Sequence, residues 1–377
     1  MSKKIMIIAG ESSGDFHASS LIYALKEQDP SLEIYGMGGM RMRRAGCEIL
    51  FDISELSIIG FTDVLKNLKK IKTLFGALLK KIDQTPPDAV VLVDYPGFNL
   101  KLAREIKKRG IPVIYYISPQ IWAWWKGRIE TIKRFVDKMI VVFKFEEALY
   151  QEHGIDVSFV GHPLLDIAHP ASQREDYLTK LGLSSQNKII GLIPGSRRME
   201  VERILPILLA SAKIISRKLP DFRFILLKAP ALPKELFREK LKQCKLPMAL
   251  CENQTYDFLN ACDFALVASG TATLEAAIMQ KPMIVVYKVS FLNWLIAKSL
   301  IKLPFIGLVN VVAGKKIVPE FIQYQARPHA IAQAAAEILG NQAYLTNVKQ
   351  DLEKVRQSLG KSGASRRAAE IILQLTG

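Results

Sequence analysis

The chain has 377 residues, more than one hydrophobic core usually organises, so its length predicts two domains. Hydrophobic residues make up 49% of it and charged residues 23%, which excludes a disordered protein. The net charge of +16 predicts attraction to an anionic partner, whether nucleic acid, acidic lipid headgroups or a phosphorylated substrate.

The N-terminal stretch MSKKIMIIAGESSGD has too few apolar residues for the core of a signal peptide. The longest apolar stretches, around 283–289 and 305–313, are too short to span a bilayer. Neither a disulfide framework nor a metal site is indicated by the four scattered cysteines, Cys47, Cys244, Cys251 and Cys262. We therefore expect a cytoplasmic protein that needs no metal and touches a membrane without crossing it.

Short apolar runs rich in β-branched residues alternate with amphipathic helical stretches, which is typical of βαβ units in a parallel sheet. Strands are predicted at Lys4–Ala9, Ala89–Asp94, Pro112–Ile117 and Lys138–Phe143, and again at Lys188–Ile193, Phe222–Lys228, Phe264–Ala268 and Pro282–Tyr287. The aperiodic stretch Gly161–Gln173 reads as a connection. We predict two α/β domains, 1–166 and 167–377, with ligands at the carboxyl ends of the strands and a cleft between the domains.

The first strand runs into a loop with two glycines that permit a tight turn before a helix. Ser12, Ser13 or Asp15 could cap that helix. The loop either binds a ligand or is a plain strand-to-helix turn, and the residues concerned are Ser12, Ser13, Gly14, Asp15 and His17. The loop lacks the third glycine of the dinucleotide fingerprint, which disfavours a nicotinamide dehydrogenase.

A basic amphipathic helix is predicted over 61–82, with apolar residues on one stripe and six lysines elsewhere. Such a helix lies on anionic lipid, or it covers the sheet and exposes its lysines to solvent. A second basic neighbourhood comprises Lys288, Trp294, Lys298, Lys302, Lys315 and Lys316. A phosphorylated lipid would suit both.

Asp94 ends the strand that begins at Ala89, where a carboxylate could act as general base on a hydroxyl. The alternative is that it caps the helix beginning near Phe98. Asp94 is therefore our first catalytic candidate.

After the next strand, three tryptophans lie within four positions and serve either packing or sugar stacking: Trp122, Trp124 and Trp125.

Two loops of the second half look suited to a diphosphate. Gly195, Ser196 and Arg197 combine close backbone approach with a hydroxyl and a guanidinium, although a capped helix with solvated arginines fits too. The second loop brings hydroxyls and amides to a helix start, with a carboxylate suited to ribose: Ser269, Gly270, Thr271, Thr273 and Glu275. Glu275 could equally be a first-turn carboxylate favoured by the helix dipole. No chemistry is assigned to His153, His162, His169 or His329.

Together these residues resemble the lipid-A-disaccharide synthase family over nearly the whole chain. The strings that carry the resemblance are GESSGDFHASSL, VDYPGFNLKLA, YYISPQIWAW, FVGHPLLD, LIPGSRRMEV, ASGTATLEAA and LVNVVAGKKIVPEFIQ. It implies a GT-B fold of two Rossmann-like domains facing across a cleft. It also implies a Gram-negative glycosyltransferase, peripheral on the inner face of the inner membrane, that makes a β-1,6 disaccharide from UDP-2,3-diacylglucosamine and 2,3-diacylglucosamine 1-phosphate.

By motif position, the resemblance implies that Asp94 is catalytic, that Ser12, Ser13, Gly14, Asp15 and His17 lie at the cleft, and that Asn310 and Glu320 approach the reacting sugars. Asp15, His17, Asn310 and Glu320 are therefore further catalytic candidates. It further implies that UDP is held by Arg197, Ser269, Gly270, Thr271, Thr273 and Glu275. The sequence departs from the family pattern at Tyr95, where the family has a small residue, and we expect altered surroundings for Asp94. No cofactor is expected.

Two alternative functions follow from the sequence. A UDP-sugar 2-epimerase also uses two Rossmann-like halves, but it would interconvert free UDP-sugars without a lipid acceptor. A nucleic-acid-binding protein would explain the charge, although no recognised binding motif accompanies it.

The helical segments over 352–375 either return to the first domain or pair with a second copy in a homodimer.

Overall fold

The computed structural model describes residues 2–53, 68–119, 127–230, 232–290, 294 and 304–376. Within them the chain forms two compact units, one of residues 1–163 with 359–377 and one of residues 164–358. The first boundary lies three residues before the predicted 166/167 boundary. The last segment of the chain belongs to the first unit, where its final helix packs on the first helix.

The first unit is built on a seven-stranded parallel sheet with strand order β3-β2-β1-β4-β5-β6-β7. Its strands are β1 Lys4–Ala9, β2 Glu33–Gly38, β3 Glu48–Asp52, β4 Ala89–Val93, β5 Val113–Tyr116, β6 Lys138–Val141 and β7 Val157–Phe159. Its described helices are α1 Ser12–Gln28, α2 Met40–Arg44, α3 Leu68–Gln84, α4 Pro96–Lys107, α5 Arg128–Phe135, α6 Lys144–Glu152 and, at the end of the chain, α16 Ala364–Leu375.

The second unit has a six-stranded parallel sheet with strand order β10-β9-β8-β11-β12-β13. Its strands are β8 Lys188–Ile193, β9 Phe222–Lys228, β10 Met248–Glu252, β11 Phe264–Ala268, β12 Met283–Tyr287 and β13 Glu320–Ile322. Its described helices are α7 Leu164–Ile167, α8 Arg174–Lys180, α9 Arg198–Lys218, α10 Lys234–Cys244, α11 Thr255–Ala261, α12 Thr271–Ile278, α13 Leu308–Ala313, α14 Pro328–Leu339 and α15 Gln342–Ser358, with a 3₁₀ turn at Gln323–Gln325.

Both sheets are doubly wound, and each has one switch point. The chain leaves β1 towards β2 and leaves β4 towards β5, so the two loops that follow β1 and β4 diverge at the sheet's carboxyl edge. The pair β8 and β11 does the same in the second sheet. Ligands of open α/β sheets bind at such points. The expected pair of Rossmann-like parallel-sheet domains is confirmed.

Helix α3 corresponds to the described part of the predicted basic helix, whose residues 61–67 lie outside the described residues. Leu74, Leu78 and Ile82 are buried in the core of the first unit, and Ile71, Phe75 and Leu79 pack against that core. Within the described residues, the apolar stripe therefore packs on the core of the first unit. Lys69, Lys70 and Lys72 are exposed on the opposite side.

Candidate functional site

Asp94 follows β4 directly, at the switch point of the first sheet. Its side chain is partly exposed, and both it and Tyr95 have a backbone φ of 48°. Left-handed conformations cost a residue other than glycine roughly 1–3 kcal/mol each and persist only where the surroundings enforce them. Such strain is concentrated at active sites, which supports the catalytic reading of Asp94.

Two side chains hold the peptide after Asp94. The Tyr115 hydroxyl donates to the Asp94 main-chain oxygen at 2.5 Å, and Asn99 Nδ2 donates to the same oxygen at 2.7 Å. Asn99 Nδ2 also lies 3.2 Å from the Val93 oxygen. Both Tyr115 and Asn99 are fully buried. The sequence analysis missed these two residues, because their importance depends on contacts with a backbone atom elsewhere in the chain.

Tyr95 takes up space left open by Gly10 on the neighbouring loop. A Cβ added to Gly10 would lie only 2.1 Å from Cδ1 of the tyrosine ring. The ring also packs against Phe98, with 5.7 Å between ring centroids. The residue after Asp94 therefore contributes an aromatic ring that packs on Gly10, in the loop after β1.

The start of α1 lies at the same edge of the sheet. Gly14 packs closely on it, since a Cβ there would lie 3.3 Å from Cβ of Ala9 and 3.6 Å from the Val93 oxygen. Ser13 is exposed, while the side chain of Ser12 lies outside the described atoms. The first amides of a helix have no intrahelical acceptor and attract anions. The predicted helix start therefore lies at this edge of the sheet, and binding of a ligand there stays a prediction.

The carboxylate of Asp15 has a structural role. Its carboxylate accepts hydrogen bonds from the backbone amides of Gly39 at 2.7 Å, Met42 at 3.1 Å and Arg41 at 3.2 Å. These amides begin α2, so Asp15 caps that helix and is itself buried. Because its carboxylate oxygens already accept these three hydrogen bonds, little acceptor capacity remains for a substrate. We therefore regard Asp15 as a structural residue of the loop.

His17 lies in an aromatic cluster with Phe16 and His162, at centroid distances of 5.2 and 6.4 Å. Burial, and to a smaller extent the charge of Arg41, lowers the pKa of His17 to about 4. Burial and the neighbouring His17 lower the pKa of His162 to about 3. Both rings are thus neutral at pH 7, so neither is present as the imidazolium that would act as a general acid. The sequence analysis did not foresee the role of His162 in this cluster.

In the second unit, the loop after β11 leads directly into α12. Gly270 has a φ of 152°, which favours glycine, and the exposed Gly270 and Thr271 bring the helix start to the sheet edge. Ser269 Oγ donates to the Ile306 oxygen at 3.0 Å. Thr273 is buried and its hydroxyl donates to the Gly270 oxygen at 2.8 Å, so it fixes the turn instead of facing solvent.

Glu275 lies one turn into α12, and Tyr256 Oη on α11 donates to its Oε1 at 3.1 Å. Burial raises the pKa of Glu275, and the hydrogen bond from Tyr256 opposes that rise. The tyrosine is a partner that the sequence did not reveal. A partly buried carboxylate already oriented by one donor is suited to accept hydrogen bonds from a pair of sugar hydroxyls.

The loop after β8 differs from the predicted diphosphate clamp in one respect. The amides of Ser196 and Arg197 both donate to Oε2 of Glu200 at 3.3 Å, so a carboxylate of the protein already occupies them. This is the half of a capping box in which the helix glutamate reaches back to the backbone. Gly195 is required for it, because a Cβ there would lie 2.7 Å from Glu200 Oε2. The exposed Arg197 guanidinium lies 3.6 Å from Oε1 of Glu200.

Asn310 and Glu320 form a buried pair, with Asn310 Nδ2 donating to Glu320 Oε1 at 2.8 Å. The amide also bonds backbone atoms of residues 317 and 318, and the carboxylate accepts the amides of Ile306 and Gly307 at 2.9 Å. Backbone atoms therefore use both groups of the Asn310 side chain, in contrast to the expected approach to the sugars. The pair supports the backbone beside Ser269, which bonds the Ile306 oxygen.

Several predicted features lie outside the described residues: Trp122, Trp124, Trp125, Lys298 and Lys302. Among the described residues, no group of three or more His, Cys, Asp or Glu side chains could hold a metal ion. Within the same part of the chain, no helix is long and apolar enough to cross a membrane.

The family model described as lipid-A-disaccharide synthetase matches residues 5–375. A lipid-A-disaccharide synthase of Syntrophus aciditrophicus is 44% identical over 375 residues, which cover 99% of this chain and 98% of the relative. A lipid-A-disaccharide synthase of Trichlorobacter lovleyi is 42% identical over 373 residues, covering 99% of this chain and 97% of the relative.

Solved structures with the same fold come from two enzyme classes. The glycosyltransferase of kitacinnamycin aligns with a TM-score of 0.67 at 16% identity, covering 99% of each chain. The UDP-GlcNAc 2-epimerase of Neisseria meningitidis, solved with UDP-GlcNAc, aligns with a TM-score of 0.65 at 13% identity and covers 98% of this chain and 100% of its own. At such identities the likeness shows the fold alone.

Proposed function

The chain belongs to the lipid-A-disaccharide synthase family, and we propose how its residues carry out the family's reaction. The enzyme is a hexosyltransferase that moves 2,3-diacylglucosamine from its UDP carrier to 2,3-diacylglucosamine 1-phosphate. The product is a β-1,6-linked disaccharide 1-phosphate, and UDP leaves. The alignment over almost the entire length, at 42–44% identity to two such synthases, carries this conclusion.

Asp94 is the general base in this proposal. Its carboxylate takes the proton from the acceptor's 6-hydroxyl while that oxygen attacks the anomeric carbon and the bond to UDP breaks. A single displacement of this kind inverts the anomeric configuration. The support is the position of Asp94 at the switch point of the first sheet, in a strained and doubly held backbone.

The loops of the second sheet hold the donor. The start of α12 at Gly270 and Thr271 and the guanidinium of Arg197 meet the charge that develops on the leaving diphosphate, since both stabilise anions. Glu275 accepts hydrogen bonds from the ribose. Gly195, Ser196, Ser269 and Thr273 shape these loops, as their internal hydrogen bonds and close contacts suggest.

No resident metal or cofactor takes part in the proposed reaction. The residues just named supply positive charge and hydrogen-bond donors where the diphosphate leaves, which is the electrostatic task that a divalent cation performs in other transferases. A chelator should therefore leave turnover unchanged. A loss of turnover that added Mg²⁺ restores would refute this part of the proposal.

Lysines bring the enzyme to its substrates. Lys69, Lys70 and Lys72 present positive charge on the exposed side of α3, and the acyl chains of both substrates keep them at a membrane. We place the enzyme on the cytoplasmic face of the inner membrane as a peripheral protein. Self-association into a homodimer stays a prediction, which the molar mass in detergent solution tests.

The test is product analysis by mass spectrometry after incubation with UDP-2,3-diacylglucosamine in detergent micelles that contain a chelator. We expect UDP and a disaccharide 1-phosphate only when 2,3-diacylglucosamine 1-phosphate is present. Conversion of the donor without the acceptor to an isomeric UDP-sugar would indicate the epimerase reaction. Absence of any disaccharide from protein that binds UDP would overturn the proposed reaction.

A further inference from the structure

The backbone at Asp94 is held against its own preference. Asp94 and Tyr95 are consecutive residues with a φ of 48°, and neither is glycine. The φ and ψ of a residue set the direction of its Cβ. A change of Asp94 to an ordinary helical or extended conformation would therefore turn its carboxylate away from the present position.

The contacts that prevent this change come from two different elements. Tyr115 on β5 donates its hydroxyl hydrogen bond to the Asp94 oxygen from one side, and Asn99 on α4 donates to the same oxygen. Asn99 also reaches the Val93 oxygen, so it ties the two peptides that flank Asp94. Burial of both donors shields these bonds from competition with water.

We propose that Tyr115 and Asn99 are positioning residues for the transfer: they fix the direction of the Asp94 carboxylate through its main-chain oxygen. The inference rests on the proposed role of Asp94 as general base. Neither donor needs to contact a substrate, because both act through the peptide of Asp94. A base displaced by even 1 Å loses about 10²-fold in rate, so this restraint affects catalysis far more than binding.

Tyr115→Phe is the sharpest variant, because it removes only the hydroxyl. The matched control is Tyr35→Phe, another buried tyrosine of the same sheet, whose hydroxyl donates to the Thr85 oxygen at 2.7 Å. The two variants lose the same group and a similar hydrogen bond, and only one of these bonds ends at Asp94. Thermal unfolding and UDP affinity show whether each variant is folded.

We expect Tyr115→Phe to lower the single-turnover rate by at least about tenfold, while KM for both substrates and the affinity for UDP stay within about twofold. Tyr35→Phe keeps the wild-type rate. A rate within twofold of wild type in Tyr115→Phe overturns the inference. An equal loss in Tyr35→Phe also overturns it, since that result would indicate a general effect on the sheet.

A double mutant separates this inference from the assignment of the base. In an Asp94→Asn background, Tyr115→Phe should reduce the residual rate by less than about twofold, because the group that it positions is gone. Independent, multiplying losses would contradict the positioning role. A normal rate in Asp94→Asn alone would instead remove the base assignment. A normal rate in Tyr115→Phe beside an inactive Asp94→Asn would remove only the positioning role.

Discussion

The hydroxyl of Tyr256 donates to Oε1 of Glu275, across 3.1 Å between α11 and α12. This contact joins the proposed ribose-binding carboxylate to a helix that the sequence did not connect with UDP. Because burial raises the pKa of Glu275 and the tyrosine opposes that rise, loss of the hydroxyl leaves a less favourable carboxylate acceptor.

Tyr256→Phe should therefore weaken UDP binding by roughly fivefold, the effect of losing about 1 kcal/mol of hydrogen bonding. Titration calorimetry with UDP and with 2′,3′-dideoxy-UDP checks the cause. The substitution should leave the affinity for the dideoxy compound unchanged, since that ligand offers Glu275 no hydroxyl. An equal loss for both ligands would contradict ribose recognition by Glu275.

Gly10→Ala should disturb the site through Tyr95, because the new methyl group would lie about 2 Å from the ring, a distance at which the ring must move. We expect a lower melting temperature and a loss of turnover of about tenfold or more. A Gly10→Ala/Tyr95→Ala double variant opens the space again and should regain much of the turnover. A double variant no better than Gly10→Ala would show that the glycine serves another purpose.

The neutral histidines predict how stability depends on pH. The pKa of His17 falls to about 4 in the folded chain, against about 6.5 when unfolded. The unfolded chain therefore binds the extra proton as the pH drops below 6.5 and the folded chain does not, so the free energy of unfolding falls. The expected slope is about 1.4 kcal/mol per pH unit for this histidine.

His17→Phe should remove that share of the slope between pH 6 and pH 5 in urea titrations. The matched control His329→Gln alters an exposed histidine of the second unit and should leave the slope unchanged. An undiminished slope in His17→Phe would refute the assignment of this pH dependence to the buried pair.

The lysine side of α3 predicts binding to anionic vesicles. Lys69, Lys70 and Lys72 each contribute up to about 1 kcal/mol near such a surface, so their joint change to Gln should weaken vesicle binding by tenfold or more at low salt. The control changes Lys213, Lys242 and Lys245, which are exposed lysines of the second unit, to Gln. Equal weakening by both triple variants would indicate that net charge alone binds the protein to vesicles.

The eight predicted strands could be recognised because each is a mainly apolar run that contains β-branched residues. Four of them have the predicted bounds at both ends, and the other four differ by one or two residues at an end. Four of the five strands missed in the described part of the chain carry a weaker signal. Strand β2 reads EIYGMG, and its Gly36 is required because a Cβ would lie 1.9 Å from the Ile7 oxygen. Strands β7 and β13 have only three residues each, and β10 reads MALCE without β-branching.

The position of Asp94 could be predicted because it depends on local sequence, a carboxylate at the end of a buried strand. Its supports could not, because Asn99 and Tyr115 act through the Asp94 oxygen and Tyr115 is 21 residues away in the chain. Dependence on tertiary contacts also explains why Asp15 was predicted to lie among ligand-binding residues. Its hydrogen bonds from the amides of Gly39, Arg41 and Met42 are visible only in the structure. The sequence motifs therefore predicted which loops form the candidate site, whereas the roles of individual residues in those loops depend on tertiary contacts.

The most direct test of the account is the single-turnover rate of Asp94→Asn with both lipid substrates, measured on protein whose melting temperature and UDP affinity match the wild type. A general base typically contributes 10²–10⁴-fold, so the account predicts a loss of roughly that size with UDP binding intact. Near-normal disaccharide formation by this variant would contradict it, and the proton acceptor would then have to be sought elsewhere in the protein.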